Sequence, residues 1–157
     1  MFRITGEYKG TIDEKGRIKL PANLVKQLSD QGIALNFVIN RGFETCLMIY
    51  PKIVWDQKAG EVDRLNVYDP TQRQFVRYFY RGATSVIADN TDRLLIPKNL
   101  LDHASIEKDI VLFAYLNQIE IWDDKKYSME LANEPPQFSE LAAKVFGGQI
   151  LSTPSTQ

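Results

Sequence analysis

The chain of 157 residues has very few of the side chains that usually carry metal or nucleophilic chemistry. It contains one cysteine, Cys46, and one histidine, His103. A single cysteine excludes an intramolecular disulfide and a cysteine-based metal cluster, and it is typical of a reducing compartment. Cys46 lies in an apolar strand-like stretch, and His103 lies near the end of a predicted helix. Both are therefore expected to be structural residues.

Long apolar runs and an excess of one charge are also missing. The net charge is -1, with 44% hydrophobic and 25% charged residues, which is ordinary for a globular protein with a real core. No run approaches the roughly 18 apolar residues of a membrane span, and no signal segment follows Met1. We therefore expect a cytoplasmic protein with no membrane partner. The charge excludes a non-specific polycation but not DNA binding, which follows local charge.

No catalytic constellation, phosphate-binding glycine loop or metal-ligand spacing is present in the sequence. What is present is an internal repeat. The segment 13–24 returns as 89–100, and the identical pairs, all separated by 76 positions, are Asp13 with Asp89, Arg17 with Arg93, Pro21 with Pro97, Asn23 with Asn99, and Leu24 with Leu100. This period is longer than the roughly 20–50 residues of a solenoid unit. It predicts two copies of a small α/β module related by a pseudo-twofold axis, with no enzyme activity, cofactor or metal.

Each module has the same predicted order of elements. In the first, strands 8–12 and 17–20 flank a turn at 13–16, a helix opens at Pro21, and strands follow at 33–39 and 46–50. In the second, the strands are 85–88, 93–96, 110–115 and 118–122, and the helix opens at Pro97. Alternation places Arg17 and Lys19 on one face of their strand and Ile18 on the other. The loop 40–45 carries about four residues more than its counterpart.

Helical segments follow each module, at 53–65, 71–81, 127–133 and 138–146. The predicted organisation is a first module at 1–51, a helical appendage at 52–82, a second module at 83–124, a helical appendage at 125–150 and a disordered tail at 151–157. Phe75, Tyr78 and Phe79 give the helix 71–81 a wide apolar face. We expect this face to contact other copies of the chain.

The repeated Asp-x-x-x-Arg motif is the main candidate for chemistry. On one interpretation, the aspartate pairs with the arginine and simply clamps the turn. On the other, it orients the guanidinium toward phosphate oxygens or the O6/N7 edge of guanine. Five basic and three acidic residues between positions 3 and 19 give a local charge of +2. Two copies of the motif favour a paired recognition surface.

At these residues the sequence resembles the MraZ family of bacterial transcriptional regulators, which is similar to AbrB-type swapped-hairpin DNA-binding proteins. The segment Asp13–Arg17 matches closely, the stretches 2–23 and 75–86 are typical of the family, and the resemblance covers about residues 1–146. It implies an α+β fold in which duplicated modules form one double-psi, swapped-hairpin barrel with appended helices. It also implies a nucleoid-associated regulator that forms rings. Its partner would be double-stranded DNA with repeated promoter elements ahead of the cell-division and cell-wall gene cluster, including its own gene.

The second motif departs from the family pattern. Asp92 stands where the glycine is expected, Thr91 replaces the equivalent of Lys15, and Leu95 replaces the equivalent of Lys19. We expect Asp92 to compete for Arg93 and the first module to carry more of the DNA contact. The expected DNA-contacting residues are Arg17, Lys15, Lys19, Arg93 and Arg3, and the expected turn-orienting residues are Asp13, Gly16 and Asp89.

Two other function classes stay open at this point. One is a protein-interaction module, such as an antitoxin-like partner whose barrel scaffolds a helix. The other is an enzyme, since double-psi barrels can host catalysis. Salt-dependent binding to the chain's own upstream DNA separates the regulator from both.

Overall fold

The computed structural model describes residues 2–132 and 137–147, which form eight strands and six helices. The strands are β1 (Gly6–Thr11), β2 (Arg17–Lys19), β3 (Asn36–Arg41), β4 (Leu47–Pro51), β5 (Thr84–Ile87), β6 (Arg93–Leu95), β7 (Asp109–Tyr115) and β8 (Gln118–Asp123). The helices are α1 (Ala22–Asp30), α2 (Lys52–Val62), α3 (Pro70–Tyr80), α4 (Lys98–His103), α5 (Asp124–Ala132) and α6 (Phe138–Phe146). The chain divides into two units after Tyr127. The tail predicted at 151–157 lies outside the described residues.

The main sheet has the same strand order when it is followed from either edge. Its six antiparallel strands run β1-β7-β8-β4-β3-β5, and β2 pairs with β6 in a separate two-stranded sheet. Exchanging β1 with β5, β3 with β7 and β4 with β8 reproduces the order from the opposite edge. The two modules are therefore interleaved about a pseudo-twofold axis, as the repeat predicts.

The strand register places two residue pairs on this axis. The pairs of the two-stranded sheet are Arg17 with Leu95, Ile18 with Leu94, and Lys19 with Arg93. A rotation that exchanges equivalent residues leaves the Ile18–Leu94 pair in place. In the β4–β8 pairing, Met48 and Glu120 occupy the corresponding central position. The duplication is thus built into the hydrogen bonding of both sheets.

The main core is assembled from equivalent residues of the two modules. Each of the following is at most 3% exposed: Ile18 and Leu94, Leu20 and Ile96, Leu24 and Leu100, and Leu28 and Ala104. Leu47 and Ile49 of β4 also point into this core. Because neighbouring strand residues point to opposite faces, Met48 points to the other face of the sheet, where it joins a second cluster with Trp122.

Neither of the two sheets closes into a barrel by itself among the described strands. β1 and β5 are the edges of the six-stranded sheet, and among the described strands neither sheet closes on itself. The sheets are instead connected by an isolated bridge between Ile12 and Ile18. The fold is α+β with antiparallel sheets, and the predicted barrel is not confirmed.

Local hydrogen bonds shift some of the predicted boundaries. β3 begins three residues later than predicted, because the Ile33 N–H still caps α1 by donating to the Leu28 carbonyl at 2.9 Å. α5 begins three residues earlier than predicted, because the Asp123 carboxylate accepts the Lys125 N–H at 3.2 Å. Within the described residues, no helix is long and apolar enough to cross a membrane.

Candidate functional site

The first Asp-x-x-x-Arg motif forms a closed turn between β1 and β2. Asp13 Oδ1 accepts the backbone N–H groups of Lys15 and Arg17, both at 2.9 Å. Asp13 Oδ2 accepts Arg17 Nε–H at 2.8 Å. Gly16 completes the turn with φ 85°, a left-handed conformation that glycine adopts without strain. A single carboxylate therefore fixes both the turn and the guanidinium.

The second motif repeats this arrangement between β5 and β6. Asp89 Oδ1 accepts the N–H groups of Thr91 and Arg93 at 2.9 and 3.0 Å, and Oδ2 accepts Arg93 Nε–H at 3.0 Å. Asp92 adopts φ 62° at the position of the missing glycine. Aspartate is among the few residues that tolerate this region. The turn therefore survives the substitution.

Hydrogen bonds lower the pKa of both motif carboxyls. For Asp13 the largest cause is the Arg17 backbone N–H, and for Asp89 it is the Arg93 backbone N–H. Both carboxylates are therefore ionised at neutral pH. Each holds its arginine through Nε, and within residues 2–132 and 137–147 no hydrogen bond reaches the Nη groups of either arginine. The two Nη groups of each planar guanidinium are therefore available to a ligand.

Three cations share the outward face of the two-stranded sheet. Ile18 and Leu94 face inward, so alternation turns Arg17, Lys19, Arg93 and Leu95 outward. Lys19 lies directly opposite Arg93, where Cβ atoms are about 4.5–5.5 Å apart. Arg17 and Arg93 are diagonal neighbours at about 7–8 Å. We call Arg17, Lys19 and Arg93 the cationic face.

This register changes the expected sharing of charge between the modules. Lys19 belongs to the first module, yet the antiparallel pairing puts it opposite Arg93, while Leu95 lies opposite Arg17. The expected competition from Asp92 is wrong: Arg93 pairs with Asp89 at 3.0 Å, and no ion pair in the described part of the chain joins it to Asp92. The offset of the repeat could have indicated this arrangement. When an antiparallel strand pair is centred on equivalent residues of the two modules, each neighbouring residue lies opposite a residue of the other module that is not its own equivalent.

Two of the predicted DNA-contacting residues, Lys15 and Arg3, lie outside the two-stranded sheet. Lys15 is exposed in the first turn, beside the cationic face. Arg3 precedes β1, and its backbone is held by Gln31 after α1, with N–H to Oε1 at 3.0 Å. The turn at Asp13 follows the other end of β1, and six strand residues span about 20 Å. The structure therefore separates Arg3 from the cationic face.

The aromatic residues of α3 have different surroundings. Asp69 caps the helix by accepting the Gln72 N–H, as predicted, and none of the helix residues is buried. Phe79 stacks on Trp55 with ring centroids 4.9 Å apart. Phe75 and Tyr78 are 45% and 51% exposed. Phe79 thus packs within its own chain, while the other two are available to a partner.

Cysteine and histidine are the residue types usual in metal or nucleophilic sites, and both occupy structural positions in this fold. Cys46 is fully buried, as predicted for a core residue. His103 is the last residue of α4, which agrees with its predicted place at a helix end. Among the described side chains, no group of three or more His, Cys, Asp or Glu residues could hold a metal ion.

The chain matches one family model twice. The family is described as "MraZ protein, putative antitoxin-like", and the two matches cover residues 2–78 and 79–146. Each match contains one Asp-x-x-x-Arg turn. The internal repeat is therefore a repeat of a family domain.

Several similar proteins named transcriptional regulator MraZ align with most of the chain. The one from Cytophaga hutchinsonii is 40% identical over 140 residues, which is 89% of this chain and 92% of that protein. The one from Christiangramia forsetii is 38% identical over 148 residues, 94% of this chain and 95% of that protein. The one from Halothermothrix orenii is 36% identical over 138 residues, 88% of this chain and 93% of that protein. Two matches to the family model and this similarity over nearly the whole length establish that the chain belongs to the MraZ family.

Proposed function

We propose that this protein is a DNA-binding transcriptional regulator that uses the cationic face to contact double-stranded DNA. The name of its relatives, transcriptional regulator, supports the general function. The observation that carries the site is the β2–β6 pairing, which gathers Arg17, Lys19 and Arg93 on one outward face. The proposal involves no cofactor.

The shape and chemistry of this face suit a DNA groove. The major groove of B-DNA admits a two-stranded β-ribbon. A guanidinium held through Nε can still present its Nη groups to guanine O6/N7 or to phosphate oxygens. Leu95 is 57% exposed between the cations and offers an apolar contact of the kind that a thymine methyl group accepts. We assign Lys15 and Gly16 to a neighbouring phosphate, and Arg3 to a more distant one.

A variant without charge on the cationic face tests the proposal. The triple substitution Arg17→Gln, Lys19→Gln and Arg93→Gln is titrated, in parallel with the wild type, against the fragment upstream of the protein's own gene and a scrambled fragment, at several salt concentrations. We expect the wild type to prefer its own fragment and the log of its affinity to fall linearly with the log of salt concentration. We expect the variant to lose the preference, with a slope smaller by about 0.9 per lost phosphate contact.

The matched control removes three cations elsewhere, by Lys52→Gln, Arg64→Gln and Lys125→Gln on or next to α2 and α5. It should bind like the wild type. Equal binding by the control and the face variant would refute the cationic face. A wild-type chain that prefers neither fragment would favour the protein-interaction alternative.

We also propose that the protein assembles into a homo-oligomeric ring, with Phe75 and Tyr78 at the subunit contact and Phe79 supporting them from its stack on Trp55. α6 offers a second apolar stripe at helical spacing, formed by the exposed residues Phe138, Leu141 and Val145. Several cationic faces on one duplex would multiply weak single-chain binding by avidity.

Light scattering tests the assembly. The wild type should have a mass that is a multiple of 18.0 kDa, and Phe75→Ser with Tyr78→Ser should shift it to smaller species. The control is Ile87→Ser, which removes an apolar residue that is 72% exposed on β5. A wild-type monomer at all concentrations would refute the ring.

The finer description of the protein belongs to the same proposal. It includes a swapped-hairpin barrel joined through the Ile12–Ile18 bridge, module boundaries at 1–51, 52–82, 83–124 and 125–150, and a place in the cytoplasm at the nucleoid. The proposed target is repeated promoter elements of the cell-division and cell-wall gene cluster, including the protein's own gene.

A further inference from the structure

A cavity of about 670 Å³ lies on the outer face of the six-stranded sheet. Met48 and Glu120, the central pair of β4 and β8, belong to its lining. Met48 points away from the main core, whereas the cationic face belongs to the small sheet that covers that core. Small-molecule sites typically have volumes of about 300–1,000 Å³. The cavity is therefore a candidate ligand site separate from the DNA-contacting face.

Two nitrogen atoms of the lining residues lack hydrogen-bond partners. Arg41 Nε and His103 Nε2 are buried and unpartnered within the described residues. The pKa of His103 is lowered, first by burial and then by Arg41 and Arg81, while the Glu44 backbone acts in the opposite direction. Two guanidinium groups thus act on an imidazole that is neutral at neutral pH. An anion beside them would accept hydrogen bonds from the guanidinium groups, and its charge would raise the pKa of His103, so that the protonated imidazole donates through Nε2.

The equivalent place in the first module is fully hydrogen-bonded. By the offset of 76, His103 corresponds to Gln27. The Gln27 amide donates to the Thr5 carbonyl at 2.9 Å and to Asn23 Oδ1 at 2.8 Å, and its Oε1 accepts the Thr5 N–H at 2.9 Å. The fold can therefore satisfy this position within the chain. The unpartnered imidazole is a property of the second module alone.

Arg41 is the last residue of β3 and directly precedes the β3–β4 loop, which is the longer of the two equivalent loops. In this loop a Cβ at Gly42 would clash with Cys46 Sγ, so packing restricts the position to glycine. Glu120 is already engaged, since it accepts Tyr115 Oη–H at 2.6 Å and Trp122 Nε1–H at 2.7 Å. Among the described residues, no ion pair joins Glu120 to Arg41.

Aromatic side chains also belong to the lining. They are Phe43, Tyr50, Phe75, Tyr78, Phe79 and Tyr115, beside the polar residues Asn40, Glu44 and Gln118. Because Phe75 and Tyr78 are assigned to the subunit contact, the aromatic walls for a ligand are Tyr50, Phe79 and Tyr115. Lys58 Nζ lies 5.6 Å from the centroid of the Tyr50 ring and adds another cation to the site. Aromatic walls favour the face or edge of a planar ring. The lining thus combines cations and unpartnered nitrogens with surfaces for a flat apolar group.

We propose that this cavity binds a small organic anion that carries a planar ring, with Arg41 and His103 holding the anionic group and Tyr50, Phe79 and Tyr115 contacting the ring. Phosphate and carboxylate share this chemistry, and the probes below distinguish them. Both Arg41 and His103 are partly exposed and belong to the lining of the cavity. The proposal does not depend on DNA binding, because its test measures the ligand directly.

Isothermal titration of the full chain with four probes tests the proposal. Adenosine 5′-monophosphate and 4-hydroxybenzoate carry both a ring and an anion, adenosine carries the ring alone, and inorganic phosphate carries the anion alone. We expect at least one ring-bearing anion to bind with a Kd below about 1 mM, and both partial probes to bind at least about tenfold more weakly. Equal binding of phosphate or adenosine would overturn the proposal, as would no binding by any probe.

Two variants locate the site. Arg41→Gln and His103→Gln should each weaken the best probe by about 10–100-fold, as expected for loss of a hydrogen bond to a charged group. His103→Gln copies Gln27 of the first module, so this variant is expected to keep its fold. Arg64→Gln is the control and should bind like the wild type. Unchanged binding in folded Arg41 and His103 variants would overturn the assignment.

Discussion

The two Asp-x-x-x-Arg turns have the same hydrogen-bonded frame but different middle residues. In both, the carboxylate accepts two backbone N–H groups and the Nε–H of the arginine. Gly16 occupies the left-handed position in the first turn and Asp92 in the second, with φ 85° and 62°. The terminal Asp and Arg therefore determine the turn, while the middle residues are free to set its charge.

That charge differs between the turns. Residues 14–16 contain one acidic and one basic side chain, for a sum of zero, whereas residues 90–92 contain one acidic side chain, for a sum of -1. Lys19 does not add to the difference, because it is adjacent to Arg17 along the strand and opposite Arg93 across it. The expected advantage of the first module therefore rests on Lys15 and Gly16 against Thr91 and Asp92.

The largest effect should come from removing each arginine in turn. A bidentate base contact contributes about 1–3 kcal/mol of discrimination, and in a ring its loss recurs in every engaged subunit. We expect Arg17→Ala to abolish specific binding to the upstream fragment, and Arg93→Ala to leave a measurable remnant. Fluorescence anisotropy titrations measure both, with Arg64→Ala as the control.

Equal losses in the two variants, or a larger loss for Arg93→Ala, would contradict the expected difference in DNA contact between the two turns. Circular dichroism melts belong to the same experiment. Both arginines are partly exposed, and a pair of this kind contributes little to stability. Melting within a few degrees of the wild type is therefore expected, and unfolding of Arg17→Ala would identify the motif as a structural clamp.

Converting the second turn into the first should strengthen DNA binding. Thr91→Lys with Asp92→Gly adds one positive charge and removes one negative charge per chain, a net change of +2, and copies the sequence of the first turn at those positions. We expect tighter binding and a salt slope steeper by about 0.9 for each new phosphate contact. Ser29→Lys with Asp30→Asn, at the end of α1, makes the same charge change away from the face. If both double variants gain the same DNA affinity, the net charge and not the sequence of the turn is responsible.

Removing Lys19 should have a smaller effect on DNA binding than removing either arginine. Lys19→Gln is expected to weaken specific and scrambled DNA about equally and to lower the salt slope by about 0.9, since a lysine contacts phosphate as a point charge. Like charges opposite each other on paired strands are destabilising, so the variant should also melt slightly higher. A loss confined to the upstream fragment would instead assign Lys19 to base recognition.

The smallest effect concerns the pH dependence of stability. The pKa of Asp89 is lowered from its ordinary value of 3.8, so its contribution to folding is fully present above pH 3.8 and is lost as the pH falls through the folded-state pKa. Asp89→Asn should therefore be less stable than the wild type at pH 7, and the difference should shrink in acid. Urea unfolding at pH 7, 5 and 3 measures it.

Asp13→Asn provides the matched comparison, because the pKa of Asp13 is lowered by the same kind of hydrogen bond. The two variants should follow the same trend with pH. A difference that grows in acid for either variant would contradict the carboxylate clamp.

The repeat allowed most of the architecture to be predicted from the sequence. It gave the two modules, their order of elements and the inward position of Ile18, because strand alternation and proline-led helices are local properties. Whether the sheets close into a barrel could not be predicted from the repeat, because closure depends on pairing between strands that are far apart along the chain. β3 also begins later than predicted, because the Ile33 N–H is hydrogen-bonded at the end of α1. The apolar pattern of the sequence does not show this hydrogen bond.

The candidate site was only partly predictable for the same reason. The pairing of each aspartate with the arginine four residues later follows from the spacing. The position of Lys19 opposite Arg93 follows only from the register across the two modules. The distance of Arg3 from the other cations also depends on the course of β1, which a local count of charges does not include.

The interleaving of the modules has a consequence for synthesis of the protein. Of the six strand pairings between described strands, four join one module to the other: β1 with β7, β2 with β6, β3 with β5, and β4 with β8. When the first 76 residues have left the ribosome, only the β3–β4 hairpin can form among these pairings. At about 5–20 residues per second, the remaining chain takes roughly 4–16 seconds to translate. During that interval the unpaired edges of β1 and β2 are open to chaperones, or to the nascent chain of a neighbouring ribosome on the same message.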